Sequence, residues 1–300
     1  MSLLLTRRAV IAAGFTAALA RASHTQAQAS APAQAFAALE TQHGGRLGVA
    51  ALDTGSRRRV AYRADERFPM CSTHKFQTVA AILSQVDHGQ LSLDRKLPYG
   101  SDDLLAYAPI AKEHLEKGFL TVEAACAAAT QWSDNTADNL LLGLLGGPAG
   151  WTRYARSLGD QVSRLDRLEP ALNSSIPDDP RDTSSPAAMV GALDTVLLGT
   201  ALSTASRARL EAWMLDGKVS ADLLRAAVPA GWRVGDKSGS GERGSRNDIA
   251  ILRPPRTNPF TDAPILAAVY YTGSAEPLAA REAVVAEAGR IILGALADRG

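Results

Sequence analysis

The stretch Met70-Cys71-Ser72-Thr73-His74-Lys75-Phe76 decides how the rest of the chain is read. It follows Pro69 and opens an apolar-periodic run through Val79, Ile82 and Leu83 to about Asp87, which His88-Gly89 closes. That is the pattern of a helix and its start. Positions three apart share a helix face, so the Ser72 hydroxyl and the Lys75 amine can meet. At a first turn Ser72 also feels the positive end of the helix dipole, which favours developing negative charge. Those are the means by which a weak nucleophile is activated. A helix cap followed by a solvated lysine gives the same letters, so the assignment turns on partners elsewhere in the chain.

Working outward, residues 33–42 read as a helix stopped by His43-Gly44-Gly45. Residues 46–53 and 59–64 read as strands joined by Thr54-Gly55-Ser56-Arg57, a hairpin signal. From Leu91 to about Gly217 the character is helical, with helices predicted over 122–130, 136–145, 149–158, 186–198 and 203–214. Residues 164–185 interrupt them. They carry Pro170, Pro177 and Pro180 with few periodic apolar positions and read as a loop whose neck Arg167 and Asp182 can close as an ion pair. After Gly231 the pattern returns to strands, 232–237, 248–252 and 265–271. Gly239, Gly241 and Gly244 mark the first turn, and a final helix spans 278–297. Strands at both ends with helices between them predict an α+β fold in two lobes. Residues 30–66 and 218–300 would supply an antiparallel sheet with flanking helices. Residues 67–217 would form an inserted all-helical lobe carrying the 164–185 loop.

Bulk composition sets further bounds. The chain has 300 residues, 46% of them hydrophobic and 21% charged, which suits a globular protein with a sizeable core. The formal charge is +1. Without the arginines of the first 29 residues (Arg7, Arg8 and Arg21) the basic count falls from 32 to 29 against 31 acids. A near-neutral chain offers no electrostatic reason to bind nucleic acid or an anionic membrane. Arg57-Arg58-Arg59 reads as a solvated turn. Residues 1–29 read as an export signal. Arg7-Arg8, of possible twin-arginine type, precede an apolar stretch from Ala9 to Ala20, and Ala27-Gln28-Ala29 offers a small-x-small cleavage site. The mature protein is thus expected to be soluble, periplasmic or secreted, with no membrane partner. Cys71 and Cys126 are the two cysteines, and their spacing leaves a disulfide and two free thiols both open. The five histidines form no metal-ligand pattern, so neither a metal nor a cofactor is expected.

Four more clusters bear on Ser72. Ser133-Asp134-Asn135 precedes a helix and alone would be an N-cap. Glu169-Pro170-Ala171-Leu172-Asn173 alone would be an acid in a polar loop. Lys237-Ser238-Gly239-Ser240-Gly241 alone would be a lysine-blunted strand edge ending in a Gly-rich turn. Arg246 alone would be a solvated strand residue. Together, the order Ser-x-x-Lys, Ser-Asp-Asn, Glu-x-x-Leu-Asn, Lys-Ser-Gly in an exported chain resembles the class A serine β-lactamases. The resemblance spans essentially the whole mature chain, including Tyr107-Ala108-Pro109-Ile110, Arg167, Asp182 and Gly235-Asp236. Lys-Ser-Gly stands where the family pattern is commonly Lys-Thr-Gly, and both present a hydroxyl.

That resemblance implies a β-lactamase/transpeptidase-like fold and hydrolysis of a β-lactam, a small-molecule substrate, through an acyl-serine, by a monomer. It makes Ser72 the nucleophile, Lys75 a base and Ser133 the proton relay to the leaving nitrogen. Backbone N–H groups of Ser72 and Ser240 would form the oxyanion hole. Lys237, Ser238 and Arg246 would hold the substrate carboxylate, with Gly239 of the same strand also counted among the substrate-binding residues. Asn135 would contact the side-chain amide, and Tyr107 would wall the cleft. Asp134 would order its own loop. Glu169 with Asn173 would position the water that releases the acyl group, across a candidate cis Glu169–Pro170 bond. Arg167 and Asp182 would hold the loop. Each cysteine faces a position where the bridged members have a cysteine and this chain has Val79 or Gly241, so the resemblance implies two free thiols. His74 and Cys71 are left as packing residues. The rival readings are a D-alanyl-D-alanine peptidase, which would lack the Glu169 loop, and a non-hydrolysing β-lactam sensor.

Overall fold

The computed structural model describes residues 30–255 and 263–296. The export signal expected over 1–29 and the last residue of the expected final helix, Ala297, lie outside the described residues. In chain order the elements are α1 (Ala31–His43), β1 (Arg46–Asp53), β2 (Arg59–Tyr62), β3 (Phe68–Pro69), α2 (Lys75–Asp87), β4 (Lys96–Pro98), α3 (Pro109–Glu113), β5 (Phe119–Thr121) and α4 (Val122–Ala127). There follow α5 (Asn135–Leu145), α6 (Gly147–Ser157), β6 (Thr183–Ser184), α7 (Pro186–Leu193), α8 (Thr204–Leu215), β7 (Arg233–Ser240), β8 (Arg246–Arg253), β9 (Ile265–Thr272) and α9 (Leu278–Leu296).

A five-stranded antiparallel sheet has the order β2-β1-β9-β8-β7, so strands from the two ends of the chain meet where β1 pairs with β9. Both faces of β9 are buried, and its period-2 alternation sorts its side chains between two cores. Ile265, Ala267, Val269 and Tyr271 join Phe36 of α1 and Val285, Ala288, Ile292 and Leu296 of α9. The 285, 288, 292, 296 spacing is one helical stripe. Leu266, Ala268 and Tyr270 face the other way, into the larger core of α2, α5, α6 and α7. Helix α2 has no solvent face along its first nine residues, Lys75 to Leu83. Apolar burial on every side fixes it as the central post of that core. The α+β fold read from the sequence is the fold observed.

Two readings change. The stretch expected as all-helical carries two small ribbons, β3 with β6 and β4 with β5. The strand predicted over 232–237 runs on to Ser240, pairing Ser238 with Asp248, Gly239 with Asn247 and Ser240 with Arg246. Gly239 is therefore no turn residue. A Cβ there would sit 2.9 Å from the Met70 carbonyl oxygen, so glycine serves close approach to the Ser72 turn. The reversal comes later, at Gly244 (φ +69°), where a Cβ would lie 1.9 Å from the Ser274 carbonyl oxygen. No helix among the described residues is long and apolar enough to cross a membrane.

Candidate active site

Ser72 lies in a single 3-10 turn, Cys71–His74, that feeds α2. In such a turn side chains three apart eclipse one another. Lys75 Nζ accordingly donates to Ser72 Oγ at 3.0 Å. Side chains hold the backbone ahead of the serine. Asn247 donates to the Pro69 and Met70 carbonyls, and Thr73 Oγ1 donates to Met70 O. These contacts fix Cys71 in the left-handed region, φ +47°, at a cost of about 1 kcal/mol.

The second wall comes from the break between α4 and α5. Helix α4 continues into a π-helical turn, Ala128–Trp132, and Ser133 follows at φ +60°. Such bulges recur where a helix must aim a functional side chain. Asp134 then caps α5, accepting from Ala137 N at 2.8 Å, and its other oxygen accepts from Ile110 N and Ala111 N. It orders its own loop, as the sequence reading had it. Asn135 N donates to Tyr107 O, and this brings the 48%-exposed Tyr107 to the rim.

Strand β7 is the third wall. It is an edge strand, so alternate peptide groups point away from β8 toward the Ser72 turn. Lys237 Nζ donates to Ser133 Oγ at 3.0 Å. Burial, the Lys75 ammonium and, more weakly, Arg246 push its pKa down to about 7, against the pull of Asp236 and Asp248. Arg246 is held between Ser240 Oγ and Glu282 Oε1 of α9, each at 2.7 Å.

The loop closes the site. Its Glu169–Pro170 bond is cis. Glu169 Oε1 lies 2.8 Å from Lys75 Nζ and accepts from Ser72 Oγ at 3.3 Å, and its Oε2 accepts from Asn173 Nδ2 at 2.5 Å. Asn173 Oδ1 is buried and finds no partner among the described residues. Lys75 Nζ also donates to Ser133 O and to Asn135 Oδ1. At the loop neck Arg167 Nε meets Asp182 Oδ2 at 2.6 Å, and Asp182 Oδ1 accepts from the amides of Asp166 and Arg167. The pair foreseen from the sequence is formed.

Ser72, Tyr107, Ser133, Asn135, Asn173, Ser238, Ser240 and Arg246 line one cleft of about 310 Å³, together with Val219. Lys75, Glu169 and Lys237 form its buried floor. Gly239 backs the Ser72 turn, and Arg167 and Asp182 stand off at the neck. A larger cleft of about 820 Å³ lies on the outer side of the loop and contains none of the floor residues.

Three features escaped the sequence reading. Asn139 on α5 clamps the peptide of Glu169, accepting from its N–H and donating to its carbonyl, both at 3.0 Å. Glu282 neutralises Arg246 from 36 residues away. His74 is not a packing residue. Its Nδ1 lies 2.8 Å from Cys71 O and its Nε2 lies 2.8 Å from Asp138 Oδ2, all buried. A carbonyl only accepts, so Nδ1 carries a proton. The Nε2 contact to a carboxylate needs a second proton. Burial disfavours the imidazolium, but Asp138 outweighs burial and raises the His74 pKa. Burial likewise opposes, and His74 outweighs it to lower, the Asp138 pKa. The pair is an imidazolium on a carboxylate. His74, Asp138 and Glu169 bring donor atoms within 4.8 Å of one another. The shared proton and the Lys75 ammonium already occupy that space, so the trio is not open to a cation. Cys71 does pack. Both thiols are free and buried, and burial pushes that of Cys71 up to about 12.

A hydroxyl touching an amine and a carboxylate beside a two-lysine cleft defines a class: enzymes equipped for acyl transfer. A profile of the β-lactamase enzyme family matches residues 31–296. Among curated relatives, β-lactamase L2 of Stenotrophomonas maltophilia is 46% identical over 280 residues, 91% of this chain and 90% of its own length. β-Lactamase CTX-M-8 of Citrobacter amalonaticus is 44% identical over 266 residues, 89% of each chain. Among solved structures, an ancestral class A β-lactamase is 52% identical with a TM-score of 0.85, covering 88% of this chain and 100% of its own. The chain belongs to the β-lactamase enzyme family, among its class A members.

Proposed function

We infer that the chain hydrolyses the β-lactam amide of penicillins and cephalosporins through an acyl-serine, and so confers resistance to them. The observation that carries this reading is the carboxylate of Glu169, clamped by Asn139 and Asn173 and seated on both Ser72 Oγ and Lys75 Nζ. Ser72 Oγ attacks the lactam carbonyl and its proton passes to the Lys75–Glu169 pair. Charge developing on the carbonyl oxygen meets the amides of Ser72 and Ser240, donors held in place beforehand. Ser133, hydrogen-bonded to Lys237, returns a proton to the leaving nitrogen. Lys237, Ser238 and Arg246 take the substrate carboxylate, Asn135 the side-chain amide, and Tyr107 covers the rim.

Release of the acyl group separates a hydrolase from a trap. Turnover about once per second rather than once per hour needs roughly 5 kcal/mol off the barrier. Glu169 as base and the unpartnered Asn173 Oδ1 as acceptor can hold and activate a water on the ester. The relatives above bear β-lactamase names, and nothing in the comparisons favours a peptidase or a sensor. The basic and apolar residues ahead of Ala29 support export to the periplasm or beyond. The test is hydrolysis of a chromogenic cephalosporin by the purified mature protein. Many turnovers per site are expected; a single stoichiometric burst would overturn the reading.

A further inference from the structure

The mechanism above leaves one buried ionic pair unused, and that pair touches the nucleophile's own peptide. We propose that Asp138 and His74 form a positioning relay to the oxyanion hole: Asp138 fixes His74, and His74 donates to the carbonyl of the Cys71–Ser72 peptide whose N–H faces the substrate oxyanion. This rests on the reading of the Ser72 amide as an oxyanion donor.

The argument starts from the peptide unit. The carbonyl of Cys71 and the N–H of Ser72 belong to one planar amide and point in opposite directions. A donor on the carbonyl pulls electron density from the nitrogen and strengthens the N–H as a donor. His74 Nδ1 supplies that donor at 2.8 Å. An imidazolium does so more strongly than a neutral ring, because charge-assisted hydrogen bonds are the stronger kind. Asp138 is what keeps the ring charged and correctly turned, through Nε2 at 2.8 Å.

The surroundings allow little else. The His74 ring lies edge-on to Trp151, centroids 6.5 Å apart, and Trp151 Nε1 donates to the His74 carbonyl at 3.1 Å. Ring and carboxylate are both fully buried. Cys71 sits at φ +47°, a conformation that does not hold itself, and its carbonyl is one of three successive carbonyls captured by side chains. The bonds to the other two carbonyls anchor the turn to β8 and to Thr73. Only the third acts on the amide that meets the substrate. Glu169 and Lys75 also act on the His74 charge, with opposite signs. The experiment must therefore read the oxyanion hole itself.

The acyl carbonyl is the probe. In a Glu169→Ala background, benzylpenicillin should remain as an ester on Ser72, and infrared difference spectra report its C=O stretch. Adding His74→Phe should move that band to higher wavenumber and, with Glu169 restored, lower kcat/KM about tenfold or more. Asp138→Asn should shift the band the same way by less. Asparagine places its Nδ2 where histidine has Nδ1, so the double variant His74→Asn with Asp138→Asn keeps the donor to Cys71 without stranding a buried carboxylate. It should return the band to the Asp138→Asn position, since a neutral donor again faces Cys71, and bring kcat/KM to within about threefold of that single variant. If His74→Phe fails to fold, the Asp138→Asn shift and the double variant still decide. A role in packing alone would lower Tm and leave the band in place, and that result overturns the relay. So does a double variant no better than His74→Phe. A wild-type protein that turns over while the bands stay fixed loses only the relay. One that forms no adduct overturns the underlying reading and the relay with it.

Discussion

Ser72 and Glu169 meet at one hydrogen bond, yet the two halves of the site are held by different forces. The Ser72 half stands on α2, whose first nine residues are all buried, with Phe76, Val79, Ala80, Ile82 and Leu83 in the apolar core, while side-chain hydrogen bonds hold the turn ahead of it. The Glu169 half stands on a loop with few apolar anchors, Leu165 and Leu172 among them. Its geometry comes from Asn139, Asn173 and the Arg167–Asp182 neck. Apolar packing is non-directional and shared among many contacts, so single losses lower stability more than they misplace an atom. Polar clamps are few and directional, and losing one misplaces what it held. On the proposed mechanism, formation of the acyl-enzyme would rest largely on a packed helix, and its release on a handful of bonds.

The most severe break of that comparison is Glu169→Ala. Turnover should fall by about 10³-fold or more while acylation continues, the barrier change being roughly 5 kcal/mol. Mass spectrometry should find a persistent benzylpenicillin adduct, and clearance at the wild-type rate would remove Glu169 from the mechanism. Asp182→Ala should act on the same step from outside the cleft. It leaves Arg167 and two backbone amides without their acceptor. Deacylation should drop about 10–100-fold with acylation nearly kept, about 1.4–2.7 kcal/mol on that barrier. Ile82→Ala on α2 is the control. It should lower stability by about 2–5 kcal/mol and leave the ratio of acylation to deacylation unchanged. Equal effects of the two variants on that ratio would erase the distinction between the halves.

These two halves were also unequally legible in the sequence. Ser72 with Lys75 needs only local spacing, and Ser133, Glu169 and Lys237 stood out as boxes in a fixed order. Strand ends and side-chain clamps did not. Gly239 read as a turn because glycine marks both turns and close approaches; its pairing with Asn247 and the Met70 carbonyl 2.9 Å from its missing Cβ tell them apart. Asn139 looked like one more polar residue in a helix. His74 and Asp138 lie 64 residues apart, each unremarkable on its own element, and no periodicity links them. Contacts that depend on two distant elements docking leave no local pattern. The Arg167–Asp182 pair was foreseeable because a proline-rich loop with opposite charges at its ends announces its own closure.

Lys237 belongs to neither half and sharpens the contrast through pH. Burial and its neighbours bring its pKa down to about 7. In the free enzyme it is a cation below that value and loses its charge as pH rises through it. A substrate carboxylate stabilises the cation once bound. KM should therefore rise above pH 7, by about tenfold per unit, with kcat held. Lys237→Arg, which stays charged, should flatten that limb if it retains activity. An unchanged alkaline limb in an active arginine variant would place the titration on another group.

The smallest expected effect tests how Arg246 shares its charge. Glu282 holds it at 2.7 Å across a largely buried contact, so the guanidinium offered to a substrate carboxylate already has a carboxylate partner. Glu282→Gln keeps a hydrogen-bond acceptor of the same length and removes the negative charge. The freed field should lower KM for penicillins by about twofold to fivefold, about 0.4–1 kcal/mol of binding. Because the carboxylate leaves the lactam bond untouched in every step, kcat should not move. Salt should shrink the difference between variant and wild type, since it screens the same interaction. A KM that rises would mean that Glu282 positions Arg246 more than it competes for it, and the start of β8 would then need a polar clamp of its own, as the Glu169 loop does.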